Sequence, residues 1–139
     1  MKKHLLLICL SVVLLALVAC GGGGGGGGET APEPEPVGDA ANGEALFTQP
    51  IIGAAPGCIT CHSLEPDVVI VGPSQAGLAT RAETRVPGKS AEEYIRESIM
   101  TPDAYVVEGF TAGLMYQNYA TDLTQEQIDD IVAYTLSLR

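Results

Sequence analysis

Hydrophobic spacing changes character along the chain, and each change predicts a different kind of segment. Residues 5–18 are apolar apart from Ser11. That block is shorter than the about 20 residues a membrane-spanning helix needs, and it has the length of a secretory h-region. Residues 21–28 are all glycine, and residues 29–36 are built mainly from Glu and Pro. With almost nothing apolar to bury, this stretch is not expected to fold. Helical spacing begins after residue 38. Residues 39–48 predict a first helix capped by Asp39 or Asn42, with Ala40, Ala41, Ala45 and Leu46 as good formers. Gly43 costs that helix about 1 kcal/mol relative to Ala, which points to another element packed closely against it.

Two capping boxes mark two further helices. Ser90 and Glu93 open one whose face is Tyr94, Ile95, Ser98 and Ile99, and Pro102 closes it. Thr124 and Gln127 open the clearest helix, over residues 123–138, with Leu123 and Ile128 placed to staple its start. Ile128, Ile131, Val132, Thr135 and Leu138 line one face of it. Residues 75–81 read as a short helix or a turn. The run 68–71, Val-Val-Ile-Val, has strand propensity but no second strand pattern to pair with, and reads as extended chain. Residues 49–57 form a Pro- and Gly-rich loop, and residues 101–122 a long connection of the kind that is usually functional.

The chemistry is concentrated at Cys58-Ile59-Thr60-Cys61-His62. Two thiols and an imidazole in the order C-x-x-C-H read as a c-type haem attachment site. The spacing holds both thiols within about one helical turn, so each can add to one porphyrin vinyl group. The adjacent His62 is then placed to bind iron from one side. Zinc would want about four N/S ligands, and besides these three the exported part offers only Cys20. A thioredoxin-like site would want a βαβ setting, and a disulfide across two residues closes almost no loop. The domain has two Phe, five Tyr and no Trp, a thin supply of large side chains for a size at which core area is marginal. A buried macrocycle would make up the deficit.

With these residues in place, residues 38–139 resemble the small class I (monohaem) bacterial cytochrome c domains. The likeness rests on Cys58-x-x-Cys61-His62, Gly72-Pro73, Met115 in its loop, and the two terminal helices. It implies an all-α fold of three main helices, with long loops wrapping one covalent haem c and its iron. It implies that the last helix crosses the first near Gly43, Phe47 and Tyr134, and that residues 68–71 cover a haem edge. It also implies that the Pro73 carbonyl accepts from the free ring N–H of His62, fixing the ligand as outer partners do. The sixth ligand is expected to be Met115. His4 lies in the leader, so no second imidazole remains. Lys89 would first have to lose its proton, against a pKa near 10.4. Tyr ligation suits catalase-like chemistry. Met100 closes a helix, whereas Met115 lies in a loop flanked by Gly113, Tyr116, Asn118 and Tyr119. The family often has Met-Pro followed closely by Asn, and here the order is Met115-Tyr116-Gln117-Asn118, without the Pro.

The N-terminal segments change the picture from a free domain to a tethered one. Lys2 and Lys3 precede the apolar block, and Leu17-Val18-Ala19-Cys20 resembles the lipobox of bacterial lipoproteins. The expectation is a signal peptide over 1–19, lipidation at Cys20 and a tether over 20–37. The glycines would span roughly 16 Å as a coil, and the tether could stretch to about 60 Å. Losing Lys2 and Lys3 takes the net charge from −10 to −12. Such a chain is not expected to bind nucleic acid, and it suits membrane redox complexes with basic docking surfaces. The expected function is one-electron transfer between respiratory or photosynthetic complexes at the outer face of the cytoplasmic membrane, with no small-molecule substrate and no catalysis of its own. Two other readings stay open. One is a gas sensor or peroxidase-like enzyme with an open sixth site, and the other is a fixed cytochrome subunit of a larger oxidoreductase.

Overall fold

The computed structural model describes residues 37–139. The expected leader over 1–19, the lipidation site Cys20 and the tether up to residue 36 lie outside the described residues. Helix α1 is Ala40–Phe47, and its N-cap is Asp39, whose carboxylate accepts from the amides of Ala41 and Asn42. Two-residue strands β1, Ile51–Ile52, and β2, Ala55–Pro56, pair antiparallel as a small hairpin. A 3-10 turn, Cys58–Thr60, carries the attachment motif. Helix α2 is Leu78–Arg85 and α3 is Ala91–Met100, followed by a 3-10 turn at Pro102–Ala104. A single helical turn α4, Tyr119–Asp122, leads into α5, Gln125–Ser137.

Both predicted capping boxes are formed in full, by Ser90 with Glu93 on α3 and by Thr124 with Gln127 on α5. In each, the hydroxyl and the longer side chain satisfy amides that helix geometry leaves without partners. The expected helix at 75–81 begins later, because Gly77 takes a left-handed conformation at φ +67° and serves as the entry to α2. Residues 101–122 are less irregular than expected, since they hold a 3-10 turn and α4.

The largest helix–helix interface joins α1 to α5. Gly43 makes it possible: a Cβ there would lie 1.9 Å from Asp130 O. Beside that contact Phe47 and Tyr134 pack with ring centroids 5.4 Å apart. The Asp39 amide donates to Asp130 Oδ1 at 2.7 Å across the same seam. The core runs from this crossing through Ile128, Ile131 and Val132 of α5 to Tyr94, Ile95 and Ile99 of α3, and reaches Ile52 and Ala55 of the hairpin. Helix α3 therefore presents its apolar face inward on one side of a space that no side chain fills.

Candidate functional site

That space is a cavity of about 590 Å³, within the range of ordinary cofactor pockets. Cys58, Cys61 and His62 line it, with Gly72 and Pro73. So do Tyr94, Ile95 and Ile99 of α3, Ile131 of α5, and Leu114, Met115, Tyr116 and Tyr119. The lining is mostly apolar, so the cavity suits a large hydrophobic group and not a water cluster.

The attachment motif is shaped by its backbone. The amides of Cys61 and His62 both donate to Cys58 O, at 3.1 and 2.9 Å, which folds the motif into one turn. Thr60 Oγ1 donates to Gly57 O at 2.6 Å and closes its start. Gly57 lies so near the Gln49 carbonyl that a Cβ would come within 1.6 Å of it. Cys58 and Cys61 are free thiols. Burial, more than the neighbouring Cys61, pushes the Cys58 thiol up to about 11.

His62 is fixed from behind. Its Nδ1 lies 2.8 Å from the carbonyl oxygen of Pro73. A carbonyl only accepts, so Nδ1 carries the proton and Nε2 keeps its lone pair. Burial lowers the pKa of the imidazole, against the smaller opposing effect of the Pro73 carbonyl, so the ring is neutral near pH 7. Gly72 is the cradle: a Cβ there would lie 2.4 Å from His62 Cε1. The amides of Val71 and Gly72 both donate to Cys61 O, at 3.1 and 2.9 Å, and lay this loop along the motif. Val69 meets His62 in an isolated antiparallel bridge. The run 68–71 is exposed and not extended throughout, since the chain bends at Ile70 and Val71, and of its four residues only Val71 lines the cavity. Only Val71 therefore covers part of the cavity, while Val68, Val69 and Ile70 do not border it.

Met115 lines the cavity and packs on the core, while Met100 is exposed and takes no part in the lining. The Met115 loop is tied at several points. Gly113 N donates to Asp103 Oδ1 at 2.8 Å, and Gln117 Nε2 to Met115 O at 2.8 Å. Tyr116 and Tyr119 meet edge to face at 5.1 Å. Tyr116 donates to Asp122, and Tyr119 Oη to Pro56 O at 2.7 Å. That last bond links the Met115 side of the cavity to the hairpin just before Cys58. Asn118 contributes its main-chain carbonyl, which accepts from Thr121 and Asp122. Sequence reasoning missed Gln75, whose side chain touches His62 and whose spacing carries no mark. Arg81, which with Arg85 and Lys89 holds most of the domain's positive charge in the sequence, grips the loop after Pro73.

Among the described residues no group of three or more His, Cys, Asp and Glu side chains converges as a metal cluster, so the zinc reading of the motif has no ligand set here. The fold and cavity define a mostly helical domain around a large apolar cavity, with two thiols and an imidazole in its lining. The chain belongs to the cytochrome c family: the family model, Cytochrome c, matches residues 40–139. A comparison with curated proteins returned no match. Membership brings the all-α cytochrome c fold and covalently bound haem c with its iron, and makes the chain a haem-based electron carrier. The residues present fit that group, because the void, the paired thiols and the imidazole with a free Nε2 all border one space.

Proposed function

We propose that Cys58 and Cys61 hold the haem as thioethers, and that His62 Nε2 and Met115 are its two axial ligands. The observation that carries this reading is one cavity whose lining includes Cys58, Cys61, His62 and Met115. The bound iron supplies a one-electron couple, at a potential that His and Met ligation raises. The protein's part is positional. Pro73 O orients His62, Gly72 gives the ring room, and the ties on the Met115 loop hold the second ligand. Arg81 and Arg85 line the cavity. Among the described residues they are the cations without a carboxylate partner, since Lys89, Arg96 and Arg139 are all paired. They are suited to the carboxylate edge of the group.

The carrier is exported and anchored through lipidated Cys20 at the outer face of the cytoplasmic membrane, with residues 20–37 as its tether. Supporting this are the lipobox-like end of the apolar block and the Gly- and Pro-rich composition that follows it. Its partners are membrane redox complexes with basic docking surfaces, which the net charge of −10 favours. Carbon monoxide tests the ligation. The reduced protein at neutral pH should bind it slowly or not at all, because both axial positions are filled. Rapid binding would mean an open sixth site, and would move the protein toward gas sensing or peroxidase-like chemistry.

A further inference from the structure

Three atoms meet in a near-triangle behind the attachment motif. His62 Nδ1 is 2.8 Å from Pro73 O, Gln75 Nε2 is 3.0 Å from His62 Nδ1, and Gln75 Nε2 is 3.3 Å from Pro73 O. Since Nδ1 carries a proton, it has no lone pair to offer, and the Gln75 amide cannot donate to it. The acceptor left in reach is Pro73 O, whose two lone pairs can take both donors. The structure sets Nε2 of the carboxamide, and not its oxygen, at this corner. In this arrangement Nδ1–H and one of the two N–H groups of Gln75 Nε2 share the Pro73 oxygen.

Gln75 is also held where it stands. It is 8% exposed, so water is a poor substitute for its protein partners. Its amide donates to Ser63 O at 2.8 Å, and its carbonyl accepts from Leu78 N at 2.9 Å. The Arg81 guanidinium donates to the carbonyls of Ser74 and Ala76, on either side of it.

We propose that Gln75 is a positioning residue that divides the Pro73 carbonyl between two donors and so weakens the hydrogen bond from His62 Nδ1–H. The proposal rests on the reading that His62 Nε2 binds iron. A ligating imidazole gains basicity as its other N–H is held more strongly, and outer hydrogen bonding of this kind tunes haem potentials. Gln75 thereby keeps His62 a weaker electron donor, favours the reduced iron and raises the potential. Two donors on one carbonyl oxygen compete for its electron density, and the weakening falls directly on the iron ligand.

The test uses the haem-bearing protein. Gln75→Met keeps the length of the side chain and removes both donors. The variant should have a lower potential than the wild type, and in the ferrous protein its Nδ1–H proton resonance should move downfield. Its thioether haem and its far-red sulfur-to-iron band should be unchanged. An unchanged potential, or a raised one with an upfield shift, overturns the proposal. The wild type alone gives a second test by nitrogen-15 labelling. One Gln75 side-chain proton should exchange slowly with solvent, and rapid exchange of both protons overturns the proposal whatever the variant does. Failure of the ligand assignment is visible separately: the ferrous wild type would show no ring-current-shifted His62 signals, and both readings would fall.

Discussion

Replacing Gly43 with Ala should destabilise the domain although it improves the helix. By propensity alone the change gains about 1 kcal/mol. The new methyl, however, would lie 1.9 Å from Asp130 O and 2.8 Å from Tyr134 Cβ. The first obstacle is helix backbone and cannot swing aside, so α1 must back away from α5. The overlap is about 1.5 Å short of ordinary contact. A displacement of that size weakens the Phe47–Tyr134 pair, of a kind worth about 0.5–1.5 kcal/mol. It also stretches the 2.7 Å bond from Asp39 N to Asp130 Oδ1, of a kind worth about 1 kcal/mol. Overpacking costs typically about 1–3 kcal/mol, these weakened contacts included, and a backbone obstacle puts this site in the upper part of that range, so net of the propensity gain of about 1 kcal/mol the loss should be about 1–2 kcal/mol. Urea unfolding of the haem-bearing protein measures it as a lower midpoint at unchanged slope. Ala45→Gly, on an exposed position of the same helix, is the control and should cost only the propensity term, about 1 kcal/mol. A Gly43→Ala protein as stable as the wild type, or more so, would refute the close crossing.

Met115→Ala should abolish the far-red sulfur-to-iron band of the oxidised protein and admit exogenous ligands, while Met100→Leu leaves both unaltered; the reverse pattern would move the ligand to Met100. Gly72→Ala should displace the His62 ring, since its Cβ would lie 2.4 Å from Cε1, and should appear as partial high-spin character in the optical spectrum; an unaltered spectrum would show that the ring has room. The Glu93 carboxyl is held below its ordinary pKa by hydrogen bonds to Ser90. Its contribution to stability is therefore present above the unfolded pKa and is lost as pH falls through the folded value. Glu93→Gln should remove that part of the acid sensitivity in unfolding curves taken across the acid range. Cys20→Ser should release haem-bearing protein to the soluble fraction or block processing, and unchanged attachment with unchanged processing would count against the lipid anchor.

What the sequence made legible was local. Both capping boxes sit within four residues, so their side chains and amides are brought together by the helix itself. Gly43 was legible through its cost, since a costly residue inside a helix implies a neighbour. The hairpin at residues 51–56 was not, because two-residue strands carry no alternation. Helix α4 was hidden for a similar reason, being a single turn. The start of α2 was misplaced because Gly77 looked like part of a helix and is its left-handed entry. At the site, C-x-x-C-H announces itself by spacing, and the likeness to cytochromes pointed to Pro73. Gln75 and Arg81 act through backbone carbonyls whose directions only the folded loop sets. Tyr119 reaches Pro56 across 63 positions, a distance at which no pattern in one sequence speaks.

The central claim is that Cys58 and Cys61 are the covalent seat of the haem. Mass spectrometry of the peptide spanning residues 58–62, taken from exported protein made with haem-attachment machinery present, tests it directly. The account predicts one haem on that peptide, bound through both sulfurs and surviving acid–solvent extraction. Folded, exported protein from the same cells whose Cys58 and Cys61 are both open to alkylation, with no haem retained, would contradict it.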